Sequence, residues 1–221
     1  LMLDILYEDN HLIAINKKSG DIIQADKTGD APLSDFVKSY IKKKYSKPGN
    51  VFLGTIHRLD RPTSGIVLFA KTSKALVRMN EQFRNKEVQK TYWAIVEKIP
   101  ANDKGTLSDF LLKNEKKNKS FITKNKEGKH AILDFKVLKK LDNFYQLEIK
   151  PKTGRHHQIR VQLANIGCII KGDLKYGAKR SNKDGSIHLL AQKLEFIHPV
   201  KKETVSILAP APKDSLWIAC S

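Results

Sequence analysis

The sequence has no apolar run approaching the ~20 residues that a membrane-spanning helix requires. Its first residues, Leu1-Met-Leu-Asp-Ile-Leu-Tyr-Glu-Asp9, lack the basic flank and long apolar segment of a secretory signal. Cysteine is scarce: Cys168 and Cys220 share no metal-ligand spacing and suggest no disulfide scaffold. A reducing, cytoplasmic setting is therefore expected. There is no Gly-rich phosphate loop of Walker or dinucleotide type, which leaves nucleotide hydrolysis and a Rossmann cofactor unsupported. A Gly-x-Ser-x-Gly elbow is missing too, as is the paired-cysteine zinc signature of the base deaminases. Internal repeats and coiled-coil heptads are likewise absent.

Acidic residues are the other shortage. The 23 Asp and Glu face 41 Lys and Arg, for a formal net charge of +18. A field of that sign attracts polyanions, of which nucleic acid is the commonest, through neutralisation of phosphates. A lysine-rich solvated surface would give the same total. Hydrophobic residues at 40% and charged residues at 29% describe an ordinary globular chain. A length of 221 residues suits one domain, taken here as residues 1–221, or two closely associated lobes.

Along the chain, Ile5 to Gly20 reads as two short strands around the turn Glu8-Asp9-Asn10. A helix follows, with Ser34 placed like an N-cap and Phe36, Val37, Tyr40 and Ile41 at helical spacing. The apolar run Ile66–Ala70 reads as a buried strand. A second helix is capped by Thr72 or Ser73, with Leu76, Met79, Asn80 and Phe83 along one face. In the strand Val88–Glu97, alternation puts Tyr92, Ala94 and Val96 on one face and Thr91, Trp93 and Ile95 on the other. Leu112 to His130 is rich in Lys and Asn and is expected as an exposed basic hairpin or insertion between strands. The strands Ala131–Val137 and Phe144–Pro151 come next. A helix from Gln158 is expected to turn Ile159, Leu163 and Ile166 inward and to stop at Gly167. Short strands are expected at 187–190, 194–197 and 204–208. Hairpin order with a few helices argues an α+β fold with a mostly antiparallel sheet.

Three clusters carry chemistry. In His57-Arg58-Leu59-Asp60-Arg61 a carboxylate is confined among cations at the entrance to a buried strand. A turn aspartate often only caps backbone N–H groups, and that reading stays open on this cluster alone. In Lys90-Thr-Tyr92-Trp-Ala a phenol on a strand can stack on a base and move a proton, or simply fill a core. In Thr153-Gly-Arg155-His-His-Gln-Ile-Arg160 an arginine stands near a helix start, suited to a phosphate or carboxylate. Adjacent His156 and His157 do not converge at i, i+1 spacing, so no metal site is expected there.

Taken together in this order, the clusters resemble the RluA-type pseudouridine synthases. The likeness covers nearly the whole chain and includes Gly172-Asp-Leu-Lys-Tyr-Gly177 and His188-Leu-Leu-Ala-Gln-Lys-Leu-Glu-Phe-Ile-His-Pro199. It implies a long, mixed, mainly antiparallel sheet with flanking helices and a central basic cleft. The implied reaction isomerises a uridine within ribosomal or transfer RNA, exchanging the N1–C1′ bond for C5–C1′, without metal or organic cofactor. Asp60 would be the nucleophile, attacking ribose or uracil; Tyr92 would stack on the flipped base and assist proton removal; Arg155 would pair with Asp60 and keep it ionised. Arg58 would fill the space left by the flipped nucleotide or hold its phosphate. His57, Arg61, Lys90 and Arg160 are expected to meet the RNA beside it. The resemblance is to a form lacking an N-terminal S4 RNA-binding module, and a monomer without a membrane partner is expected. Two rivals remain at this point: a non-catalytic RNA-binding or ribosome-assembly factor, and a base-excising glycosylase.

Overall fold

The computed structural model describes residues 2–124 and 127–221. Leu1, and Asn125 and Lys126 in the stretch expected as a basic hairpin, lie outside the described residues. The strands are β1 (Ile5–Glu8), β2 (Leu12–Lys17), β3 (Gly54–Thr55), β4 (Ser64–Ala70), β5 (Gln89–Val96) and β6 (Lys104–Asn114). Then follow β7 (Lys119–Thr123), β8 (Lys129–Lys140), β9 (Tyr145–Pro151), β10 (Leu189–Ile197) and β11 (Thr204–Leu208). Helices are α1 (Leu33–Lys44), α2 (Ser73–Arg84), α3 (Gln158–Asn165) and α4 (Ser215–Ala219), with a 3₁₀ turn at Leu174–Tyr176. The expected α+β class holds. The chain forms two compact units, one from Leu1–Gln89 and Gln192–Pro210, the other from Lys90–Ala191 and Ala211–Ser221.

In the first unit, β2 pairs antiparallel with β1 and β4, β3 adds to β4, and β10 pairs antiparallel with β11. Every residue of β4 is buried, so the strand reads as a continuous apolar run rather than an alternation. Helix α1 lays Leu33, Val37 and Ile41 against Ile13, Ile15, Val67 and Phe69. Its cap is Pro32, which makes no side-chain bond, and not Ser34. The first helical N–H groups are met instead by loop carbonyls, Leu33 by Ile22 and Ser34 by Ile23, so a hydroxyl cap is unnecessary. On α2, Thr72 caps by accepting from Ala75 N at 3.1 Å, as expected. The buried stripe is Ala75, Met79 and Gln82, with Asn80 exposed. Gln82 displaces Asn80 from the inner face because its amide both donates to and accepts from the Ile197 backbone.

Two carboxylates tie the start of this unit together. Glu8 accepts from Tyr40, Tyr45, Lys44 and Lys71. Asp9 accepts from Tyr7, the His11 and Leu12 amides, and the fully buried His198 at 2.6 Å. The other His198 nitrogen, Nδ1, accepts from Val200 and Lys201 N–H, which places the proton on Nε2. Burial alone would raise both carboxyl pKa values, but these bonds outweigh it and hold each at about 2. A folded value below the unfolded one means stability that is present above the ordinary carboxylate range and lost as pH falls toward 2. Each group should thus contribute on the order of 2 kcal/mol at neutral pH. Near-ultraviolet circular dichroism should show an acid transition between pH ~4 and ~2, and Glu8→Gln should lose stability at neutral pH and weaken that transition. An unchanged acid titration in E8Q would refute this account.

The second unit orders its strands β5-β9-β8-β6-β7, each antiparallel to its neighbours. The Lys/Asn-rich stretch is indeed a hairpin at β6–β7. Tyr92, Ala94 and Val96 share a face, as alternation implied, and pack with Leu133, Phe135, Leu147 and Ile149 and with Ile159 and Leu163 of α3. Ile166, expected inward, is 38% exposed because α3 ends at Asn165 and Ile166 leaves the helical register as C-cap. Gly167 follows at φ 79°, a left-handed stop that glycine adopts without penalty. The two strands expected at 187–190 and 194–197 form one, β10, which begins at Leu189.

Candidate functional site

Half-buried Asp60 lies in the loop entering β4. Its carbonyl accepts from Thr63 N–H at 3.0 Å, closing a turn over Arg61 and Pro62. Beneath this turn lies Lys17, the last residue of β2 and fully buried. Its ammonium donates to the carbonyls of Lys18 (3.0 Å), Arg61 (3.0 Å) and Thr63 (2.7 Å). Burial pushes the Lys17 pKa down to about 8, against the opposing pull of Asp21 and Asp60. The site loop is thus pinned from below by a cation that the sequence alone did not single out. Gly65, at φ 115°, pairs with Lys17 where the loop joins β4.

The other residues of this cluster differ in exposure. His57 accepts from Leu68 N–H at 3.0 Å through Nε2 and stacks on Phe83 at 5.2 Å. Arg61 forms an exposed pair with Asp30, while its backbone is held by Lys17 and Gly20. Arg58 is exposed and has no hydrogen bond or ion pair among the described residues.

In the second unit, Lys90 and Tyr92 point to the same side of β5, two residues apart. Lys90 reaches the Thr153 carbonyl at 3.5 Å, and burial lowers its pKa. Thr153 fixes the following turn: its hydroxyl donates to Gln158 Oε1 at 2.7 Å and accepts from Ile132 N–H.

The two arginines of the third cluster are placed very differently. Arg155 is exposed, its Nε donating to the His130 carbonyl at 2.9 Å. Arg160 is buried on α3 and gripped by Asp173 in a two-pronged ion pair, Nε at 2.7 Å and Nη2 at 2.8 Å. Its guanidinium lies 5.1 Å from the Tyr176 ring and Nη1 donates to His157 Nε2 at 3.3 Å. Burial, reinforced by Arg160 and His156, lowers the His157 pKa to about 2, so the ring is neutral and can accept from the cation. A buried guanidinium with a fixed fork is a preorganised donor; an exposed one is not. Asp173 and Tyr176 belong to the Gly172–Gly177 motif, which carried the resemblance without an assigned role.

His156 and His157 do converge, their rings stacking at 3.8 Å. The spacing argument fails because His157 takes a left-handed conformation, φ 53°. Their nitrogens meet Ser120, Asn118, Tyr176 and Arg160. Among the described residues no three His, Cys, Asp or Glu side chains gather as metal ligands would. No helix among them is long and apolar enough to cross a membrane.

Comparison with known proteins bears on this arrangement. A family model described as RNA pseudouridylate synthase matches residues 11–165. A ribosomal large subunit pseudouridine synthase C of Buchnera aphidicola (Acyrthosiphon pisum strain APS) is 37% identical over 222 residues, covering 97% of this chain and 69% of the relative. A tRNA pseudouridine synthase C of Haemophilus influenzae is 33% identical, covering 94% and 92%. The solved human RNA Pseudouridylate Synthase Domain Containing 4 has the same fold, with a TM-score of 0.81 at 23% identity over 98% of this chain and 91% of that one.

Proposed function

Because the chain belongs to the RNA pseudouridylate synthase family, we propose that its substrate is a uridine in ribosomal or transfer RNA, the two RNA classes for which its relatives are named. The reaction it catalyses is an isomerisation: the N1–C1′ bond breaks, uracil turns, C5 bonds to C1′, the C5 proton leaves and N1 takes up a proton. One observation carries the assignment of roles, the single carboxylate Asp60 presented on a turn that a buried lysine holds rigid. Asp60 is the nucleophile, forming a covalent adduct that is later released. Tyr92, on β5, stacks on the extruded base and assists loss of the C5 proton.

The guanidinium that balances negative charge during the reaction is Arg160 in this reading, in place of the expected Arg155. Of the two, Arg160 is the buried one, its guanidinium fixed by Asp173, and electrostatic help is strongest from groups that need no reorganisation. Arg58 takes the backbone or the gap of the flipped nucleotide, with His57, Arg61 and Lys90 as further contacts to RNA. The enzyme acts as a cytoplasmic monomer and needs neither metal nor cofactor.

The deciding experiment maps pseudouridine in total RNA from cells with and without the gene, then complements with wild type and Asp60→Ala. One or more sites should vanish and return with wild type alone. If no site vanishes, or D60A restores them all, the assignment is wrong. Purified Tyr92→Phe should bind the mapped RNA within about two-fold of wild type yet lose most turnover, since the ring remains and the hydroxyl goes. Loss of binding with turnover per bound RNA intact would contradict the role given to Tyr92.

A further inference from the structure

The sheet of the second unit has two faces, and only one is occupied by helix α3. Leu107, Leu111, Ala131, Leu133 and Phe135 point into the core on that side. Their neighbours in sequence necessarily point the other way. Register places Phe110 opposite His130, Ser108 opposite Ile132, and Leu112 opposite Phe121, so these side chains form one patch. Leu112 is 50% and Phe121 39% exposed, and His130 is exposed too. The Phe110 and His130 rings are already stacked, with centroids 5.1 Å apart and planes at 25°. Ser108 fixes the His130 ring at 2.8 Å, and Arg155 fixes its carbonyl.

Charge around the patch is one-sided. Asp134 and Glu148, the acids on this face, are engaged by Lys152 at 3.0 Å and Lys150 at 3.6 Å. Lys104 and Lys136 stand directly opposite each other on β6 and β8 with no ion pair among the described residues, and on its other side Lys136 faces Glu148 of β9, which Lys150 engages. Like charges in that position are destabilising. The terminal nitrogens of Arg155 have no partner among the described residues either. Cations that outnumber the acids, beside partly exposed flat rings, match one kind of ligand. Phosphates answer the cations, and unpaired bases answer the rings. A duplex offers no base faces to such a surface, and a protein partner would need carboxylates and apolar side chains in the same alternation.

We propose that this outer face, centred on Phe110 and His130 and edged by Arg155, Lys104 and Lys136, binds a single-stranded segment of the RNA substrate away from the modified uridine. The proposal rests on the substrate being RNA. It gives Arg155 a binding role distinct from the chemistry assigned to Asp60, Tyr92 and Arg160.

The test uses the full chain and a fluorescein-labelled oligouridine, read by anisotropy across a salt series, with photocrosslinking of a 4-thiouridine version and peptide mapping. Phe110→Ala should weaken binding about ten-fold, as loss of one stacked base does. Phe110→Tyr should restore it. Arg155→Gln should reduce the slope of log K against log salt by about 0.7, the value of one single-strand phosphate contact. Crosslinks should fall within residues 106–112, 119–124 and 127–132. Thermal melts of each variant separate lost binding from lost fold, and F110Y keeps the comparison interpretable if F110A unfolds. Wild-type affinity in both F110A and R155Q, with crosslinks confined to other peptides, overturns the proposal while leaving the pseudouridine map untouched. A change of oligomeric state in F110A with unchanged RNA affinity also overturns it, marking the face as a protein interface. Failure of the wild type to modify any RNA sinks the underlying reading instead.

Discussion

Asp60→Asn should leave the protein folded and able to bind RNA, but reduce pseudouridine formation by at least about a thousand-fold, a barrier increase of ~4 kcal/mol. Asparagine keeps the shape of the side chain and removes only the anionic oxygen that attacks. The backbone turn survives, because it is closed by the Asp60 carbonyl and by Lys17 acting on Arg61 and Thr63, none of which requires the carboxylate. Lys17 loses a favourable charge nearby, so a small drop in melting temperature accompanies the lost turnover. The measurement is single-turnover conversion of the mapped RNA, alongside an affinity assay and a melt. Residual activity above about one per cent would remove Asp60 from the covalent role, since general electrostatic help seldom exceeds 10²–10³. The same reaction mixture answers the glycosylase alternative: isomerisation leaves no free uracil and no abasic site, whereas excision leaves both.

The three clusters to which this chemistry is assigned were legible in sequence because each concentrates chemistry-bearing residues within a few positions. Asp60 stood out as a carboxylate crowded by three basic residues before a buried strand, and Tyr92 by its place on a cleanly alternating one. What sequence concealed was burial that depends on distant partners. Arg155, in a Thr-Gly turn, reads as the arginine that pairs with Asp60, whereas Arg160 reads only as a contact to RNA. The structure reverses their environments because Asp173, thirteen residues further on, returns to meet Arg160 with both oxygens. The same logic misplaced α2's inner face: Gln82 reads as a surface residue until Ile197 supplies both halves of its amide's bonding. In β10 the polar pair Gln192-Lys193 looked like a break between strands, yet it is a half-buried stretch of one strand continuing into its hairpin with β11. Strand existence followed from local pattern, which period-2 burial writes directly into the sequence. Side-chain partners did not, because nothing local encodes them.

Lys17 is the strongest case of such concealment, and its removal should have the largest effect on stability. Asn16-Lys17-Lys18 reads as a cationic strand end, yet Lys17 is fully buried and meets no carboxylate directly; three backbone carbonyls surround its ammonium. Burying a charge is costly, and here the cost is met by bonds that fix the loop bearing Asp60. Methionine fills nearly the same volume without a donor. Lys17→Met relieves the buried charge but takes a charged donor from three carbonyls; those of Arg61 and Lys18 still accept from the Gly20 and Asp21 N–H groups, so the penalty of a dry carbonyl, about 1–3 kcal/mol, falls on Thr63. The net loss should be around 3 kcal/mol, or roughly 10 °C in melting temperature for a chain of this size. The pH dependence gives a signature that simple loosening would lack. A folded pKa near 8, below the ordinary lysine value of 10.5, means that the folded state binds fewer protons than the unfolded state between those limits. This group alone therefore makes stability rise as pH climbs from about 8 toward 10.5. The rise should disappear in K17M, measured by urea unfolding at several pH values. Turnover should fall further than the fraction folded, because the Arg61 and Thr63 carbonyls no longer hold the turn that presents Asp60. Wild-type turnover in a destabilised K17M would show that the lysine supports the fold alone, and that Asp60 is positioned by the turn without it.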